Sequence, residues 1–350
     1  MPAWLPARVR AALHRVVRSR WTLRMIGVAV FALILLRVDL RQAWRVLASV
    51  DPRFLALSLA LQALALIVTT FRWQIIMRNL GIQIPFWRSF TYQIIGTAAG
   101  QVTPGEFGEF VKVLYHRRDG FPVPESALSV LIDRLYDLAV LLLFGFLSLV
   151  ILFGIPSPWT IALSLGTVLL VVGGSLFAAH RQESARWIAS ALARITPHPY
   201  REMVRSDAQR LVGRVGALSP RLLLGVGFVS VANYALLLVR VYALALAVHI
   251  DVSFAYFAQL VPLLRLVGLV PISISGIGTR DVTAIYLLGR VGVSQEASLV
   301  LSMLSLLTLQ MQALAGLGVW WRHPLRRSAD DARPGARTGG VAVRRHERTM

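Results

Sequence analysis

Two short stretches, Thr103-Pro104-Gly105-Glu106-Phe107-Gly108-Glu109 and Ser273-Ile274-Ser275-Gly276-Ile277-Gly278-Thr279-Arg280-Asp281, set glycines beside charged side chains in apolar surroundings. They recur 171 residues apart (276 − 105). Lys112 follows the first stretch, and the next apolar segment carries Asp133, Arg134 and Asp137. The second stretch is preceded by Arg265, and Asn233 and Arg240 stand seven apart on one face of the segment before that. A helix starting near Thr279 aims free backbone N–H groups and its positive dipole end at the glycine break, and Arg280 adds charge there. That combination suits a phosphate. An arginine between two carboxylates, as Arg134 is, is held in place and partly neutralised.

The chemistry expected is recognition of an anionic headgroup by Arg280 and Arg134, with Glu109 and Asp137 orienting it or exchanging protons. Lys112, Arg240 and Asp281 complete the candidate substrate-binding set. Pro104, Gly105, Gly108, Gly276 and Gly278 are the expected hairpin breaks. Ionisable groups at membrane depth cost about 2.5–3.5 kcal/mol each on insertion scales, so they line a cavity or pair with one another. The competing reading makes the same residues salt bridges that fasten helices, a role that suits Asp133 best. Lys112 lies close enough to the interface to snorkel, and His116, Arg117 and Arg118 read as flank charges.

These residues belong to a chain of 350 that is 56% hydrophobic and 15% charged, with mean hydropathy +0.63. One water-soluble core cannot hide that much apolar surface, so the chain reads as a polytopic membrane protein. Its formal charge of +20 gathers between and beyond the apolar segments, which favours anionic lipid over nucleic acid as the partner. There is no cysteine, hence no disulfide framework or thiolate metal site. The histidines show no metal-ligand spacing with carboxylates, and no metal or other cofactor is expected.

Apolar stretches long enough to cross about 30 Å of hydrocarbon fall at 21–38, 54–77, 126–153, 159–179, 222–248 and 297–321. The regions 86–118 and 254–290 are broken in the middle by the glycine motifs and read as hairpins that dip in and return. Residues 1–20 form a basic cytoplasmic N-terminus, and 322–350 a disordered basic cytoplasmic tail. Arginine in both, and in 180–221, places those segments inside. Segment 39–53 should lie outside yet holds Arg41, Arg45 and Arg53, and its apolar residues follow a helical period, as in an interfacial amphipathic helix.

A shift of 171 places Gly105 on Gly276, Tyr115 on Tyr286, Glu125 on Glu296 and Leu128 on Leu299, while span 54–77 lands on 222–248. Both halves, 54–153 and 222–321, read span, broken hairpin, span. The first hairpin enters from the cytoplasm and the second from outside, which makes the halves inverted copies and suits alternating access. The fold class expected is an all-α polytopic membrane protein with six transmembrane spans, two re-entrant hairpins and an inverted repeat.

On these residues the chain resembles the flippase-like transmembrane domain of lysylphosphatidylglycerol synthases. The resemblance covers 21–321 and rests on Pro104, Gly105, Gly108, Glu109 and Lys112, on Asp133, Arg134, Leu135 and Asp137, and on Gly276, Gly278, Arg280 and Asp281. It implies movement of lipid between the leaflets of a bacterial inner membrane, without the soluble synthase domain. No nucleotide-binding P-loop occurs. The alternatives carried are a membrane enzyme that transfers a sugar or phosphoryl group to a lipid, and a non-catalytic subunit beside a lipid-synthesis enzyme. A homo-oligomer is compatible with any of the three.

Overall fold

The computed structural model describes residues 40–154, 162, 166, 219–269 and 278–323. The expected spans 21–38 and 159–179 (save single residues of the second), most of the loop 180–221, the tail beyond 323 and Gly276 lie outside the described residues. Every described element is helical. In chain order they are α1 (Leu40–Ala48), α2 (Pro52–Asn79), α3 (Phe86–Val102), a 3-10 segment (Pro104–Phe110), α4 (Val111–Arg118), α5 (Val123–Phe153), α6 (Pro220–Ala247), α7 (Phe254–Leu269), α8 (Thr279–Gly289) and α9 (Gln295–Arg322).

Four of these, α2, α5, α6 and α9, have 28, 31, 28 and 28 residues and are apolar enough to cross a membrane. At 1.5 Å per residue, 28 residues extend about 42 Å. Their outward faces carry Leu64, Phe71, Leu147, Phe228, Leu307 and Leu314 exposed, a surface that only lipid satisfies. Trp87 and Trp321 stand exposed at helix ends and Trp44 in the middle of α1, and indoles of this kind sit at the headgroup level. The amphipathic helix expected in 39–53 is present as α1, which packs on α9.

The halves share one order of described elements, long helix, two short helices, long helix, with the 3-10 segment between the short helices of the first half and residues 270–277, outside the described residues, in the second. α2 and α6 begin alike, with Asp51 accepting from Arg53 N–H and Ser219 from Leu222 N–H, each followed by proline at the first helical position. They also end alike. Ile82 N–H bonds Met77 C=O and Gly81 N–H bonds Arg78 C=O, while Ile250 N–H bonds Ala245 C=O and His249 N–H bonds Leu246 C=O. This double closure requires a left-handed residue, filled by Gly81 (φ 84°) and by His249 (φ 60°), the one non-glycine with positive φ among the described residues. α4 and α8 close in the same way around Gly120 and Gly292.

The match has two offsets. α2 and α6 start 168 apart (220 − 52), as do α3 and α7 (254 − 86), whereas α4 and α8 end 171 apart (289 − 118). Because α4 and α8 also start 168 apart (279 − 111), the three extra residues lie within α8, which has 11 residues to the 8 of α4, and a single shift of 171 fits only beyond the short helices.

Packing is reciprocal. α2 lies along α6, α3 packs on α9, and α7 on α5. Gln62 meets Arg240, Arg72 meets Ser230, and Asp51 N–H meets Ala247 C=O. One number falls as the other rises, so α2 and α6 run antiparallel. The partners are also repeat mates, since Arg240 is 168 beyond Arg72 (240 − 72) and Ser230 is 168 beyond Gln62 (230 − 62). The cross-packing repeats as well. A Cβ on Gly316 of α9 would lie 2.5 Å from Ala98 Cβ of α3, and one on Gly145 of α5 would lie 3.2 Å from Leu266 Cδ2 of α7. Exchanging each residue for its mate turns Gln62–Arg240 into Ser230–Arg72 and Ala98–Gly316 into Leu266–Gly145, the relation that a two-fold axis perpendicular to α2 and α6 would give.

Candidate functional site

The break after α3 is built by one threonine and two close approaches. Thr103 Oγ1 donates to Ala99 C=O at 3.0 Å and accepts from Gly108 N–H at 2.6 Å. A Cβ on Gly108 would sit 2.0 Å from Ala99 O, so only glycine lets the 3-10 segment press against α3. A Cβ on Gly96 would sit 2.8 Å from Lys112 Cγ, so this glycine makes room for the lysine stem. Lys112 does not snorkel. It is fully buried, its Nζ donating to Glu109 Oε2 at 2.7 Å and Gln93 Oε1 at 3.0 Å and lying 4.6 Å from the Trp73 ring centroid.

From Lys112 the ions run in a chain. Glu109 Oε1 is 2.8 Å from Arg134 Nη2, which is 3.3 Å from Asp137 Oδ2. Asp137 Oδ1 is 2.6 Å from Arg72 Nη1, and Arg72 Nη2 reaches Asp133 Oδ1 at 2.8 Å. Arg72 also donates to Ser230 Oγ at 2.8 Å, which joins the cluster to α6. Three cations, Lys112, Arg72 and Arg134, face three anions, Glu109, Asp133 and Asp137. Arg72 and Asp133 are sealed, while the Arg134 and Asp137 side chains remain 22% and 34% exposed. The open edge of this cluster is therefore Arg134 with Asp137.

The second half gathers differently. Arg240, 6% exposed, donates to Gln62 Oε1, and Gln62 Nε2 is anchored on Thr308 C=O at 3.0 Å and Gln312 Oε1 at 2.6 Å. Arg265, which is exposed, and Arg280 lie within electrostatic reach of Arg240, and Arg265 is also within reach of Asp137. Asp281 serves its own helix. Its Oδ2 accepts from Gly278 N–H at 2.9 Å, where Gly278 caps α8 with φ 92°, and its Oδ1 accepts from Ser302 Oγ. Arg280 Nη2 comes only within 3.6 Å of Asp281 Oδ1 and is buried without a hydrogen bond among the described residues.

Glu109, Lys112, Arg134 and Asp137 are thus assembled in one network, whereas Arg240 is held by Gln62 and Arg280 stands beside Asp281, within electrostatic reach of Arg240. Sequence reasoning missed Arg72, the hub of the first, although a lone arginine inside an apolar span is a signal in itself. It also missed Gln62, Gln93 and Ser230, neutral partners that no charge pattern reveals. His116, expected as a flank charge, is instead fully buried and stacked on Trp73 with ring centroids 5.1 Å apart. Glu106 has no described side chain. Among the described residues no three His, Cys, Asp or Glu side chains gather as a metal site.

Apolar helices with lipid-facing exteriors around an ionised interior define an integral membrane protein. The chain belongs to the family of the lysylphosphatidylglycerol synthase TM region, which matches residues 24–316. It is 25% identical over 299 residues to a UPF0104 membrane protein of Methanothermobacter thermautotrophicus, an alignment covering 78% of this chain and 86% of that one. No solved structure matches it.

Proposed function

We propose that this protein is a lipid translocase, a flippase-like transporter rather than an enzyme, that moves an anionic phospholipid or lipid-linked headgroup between the leaflets of a bacterial inner membrane. The observation that carries the reading is the antiparallel pairing of repeat mates, Arg72 with Ser230 and Arg240 with Gln62. If α2 and α6 cross the bilayer, the axis relating them lies in the membrane plane and the halves are inverted copies. α3, α4, α7 and α8, of 17, 8, 16 and 11 residues, are each too short to cross alone. They pair as two re-entrant hairpins entering from opposite sides.

The four long helices, counted with the two apolar stretches 21–38 and 159–179 that the sequence alone reads as spans, would place both termini on the cytoplasmic side. Arg88 and Arg118, grouped around Asp119 at 3.6 and 3.7 Å, mark the cytoplasmic mouth of the first hairpin. In this arrangement the ionised side chains meet between the halves, near mid-membrane, and rocking one half against the other opens them to each leaflet in turn. Arg280 holds the headgroup phosphate, Arg134 is the second contact, and Glu109 and Asp137 keep Arg134 aimed. Arg280→Ala, reconstituted in vesicles, should abolish translocation of fluorescent phosphatidylglycerol while the protein stays monodisperse. Translocation at the wild-type rate would remove the assignment.

A further inference from the structure

The repeat relation lets the second cluster be compared, residue for residue, with the first. Arg72 reads two carboxylates from α5, Asp133 and Asp137. On α9 the register set by Gly145 and Gly316 (316 − 145 = 171) puts Thr308 where α5 has Asp137 (308 − 137 = 171). α9 holds one acid, Glu296, far off in its first turn. Gln62 faces Arg240 as Ser230 faces Arg72, so what Arg240 lacks is any counterpart on α9 to the two carboxylates of α5.

Arg265 and Arg280 lie within electrostatic reach of Arg240, and against these three cations stands Asp281, a net +2, itself engaged by Gly278 and Ser302; Asp137, within reach of Arg265, is already paired with Arg72 and Arg134. Two buried donors nearby are unspent among the described residues, Arg280 Nη2 and the Tyr234 hydroxyl, the latter within electrostatic reach of Arg265. Arg240 and Tyr234 are buried, Arg280 is half-buried and Arg265 is exposed, and a cluster of this kind with surplus charge and idle donors is completed by an anion.

Resting on the translocase reading, we infer that the group of Arg240, Arg265, Arg280 and Tyr234 is the binding site for a doubly charged phosphate carried by a lipid, a phosphomonoester or diphosphate headgroup, seated where the first half holds its own carboxylates. A phosphomonoester brings about −1.5 to −2 at neutral pH, which balances the surplus. A phosphodiester brings a single charge and leaves one arginine unmatched.

The test is native mass spectrometry of the full chain in detergent with dioctanoyl phosphatidic acid or dioctanoyl phosphatidylglycerol, with inorganic phosphate followed by calorimetry. Phosphatidic acid should bind about tenfold more tightly than phosphatidylglycerol, and free phosphate should bind far more weakly than either. Thr308→Asp supplies the absent carboxylate, so it should lose that preference while keeping its melting temperature. Arg240→Gln should lose it too, and serves if Thr308→Asp fails to fold.

Equal binding of the two lipids, or phosphatidic acid retained by both variants, would overturn the site. Free phosphate matching phosphatidic acid would overturn the lipid assignment. Wild-type vesicles that translocate phosphatidylglycerol although the protein shows no phosphatidic acid preference would sink this inference alone. The preference intact without translocation of any lipid would sink the transport reading alone.

Discussion

The two halves are one fold used for two electrostatic purposes. In the first, Arg72 sits fully buried between Asp133 and Asp137, and the cluster as a whole is balanced. In the second, the mate Arg240 makes do with Gln62, and the cluster is short of acid. Removing a charge from water is repaid only by good geometry and full pairing, so a balanced set of this kind fastens helices and an unbalanced one waits for a ligand. In the translocase proposed above, fastening α2 to α5 would make one half rigid, and the incomplete antiparallel copy would be its receptor.

The sharpest way to break that contrast is to remove one arginine at a time. Arg72→Met leaves buried Asp133 with only Arg134 at 3.9 Å and should cost about 3–5 kcal/mol, seen as a collapse of the unfolding midpoint in detergent. Asp133→Asn should cost less alone, and a double-mutant cycle between the two should return a large coupling. The same cycle on Arg240→Met and Gln62→Leu should return a coupling of about 1–3 kcal/mol. Equal couplings in both halves would mean that Arg240 is as firmly engaged as Arg72, and the division into lock and receptor would fall.

A smaller effect tests the cross-packing. At Gly316 an added methyl meets Ala98 Cβ at 2.5 Å and the Ile94 carbonyl oxygen at 2.6 Å, and backbone cannot step aside cheaply. At Gly145 it meets the Leu266 side chain at 3.2 Å, which a change of rotamer relieves. Gly316→Ala should therefore destabilise by about 1–3 kcal/mol and Gly145→Ala by well under that. Thermal melts of the two variants side by side check the order, and the reverse order would contradict the packing of α3 on α9.

Much of this was legible in the sequence, for reasons that also mark where legibility stopped. The four long helices announce themselves by apolar length, and Gly108 and Gly278 by standing where the chain has to turn. Glu109, Arg134 and Asp137 are conspicuous because charge in apolar surroundings is expensive. Arg72 is as expensive, but no glycine motif draws the eye to it, and its partners lie 61 and 65 residues away. Lys112 reads as an interfacial lysine until Gly96 is seen to make its niche. Asp281 looks like a ligand for substrate, whereas its short distance along the chain from Gly278 makes it a cap. Spacing identifies expensive residues; only packing shows which of them are already satisfied.

The smallest effect probes the repeat itself at His249. The closure that ends α6 copies the one that ends α2, so His249 takes the left-handed conformation that Gly81 takes, and a β-carbon there costs about 1–2 kcal/mol. Glycine would remove that strain but adds freedom to the unfolded chain, which takes back part of the gain. His249→Gly should raise stability by about 1 kcal/mol or somewhat less, read as a small rise in melting temperature with translocation unchanged. Gly81→His, the reverse exchange at the mate position, should lower it by a similar amount. A loss in both would show that the histidine ring makes contacts worth more than the strain, and that the two closures are not interchangeable.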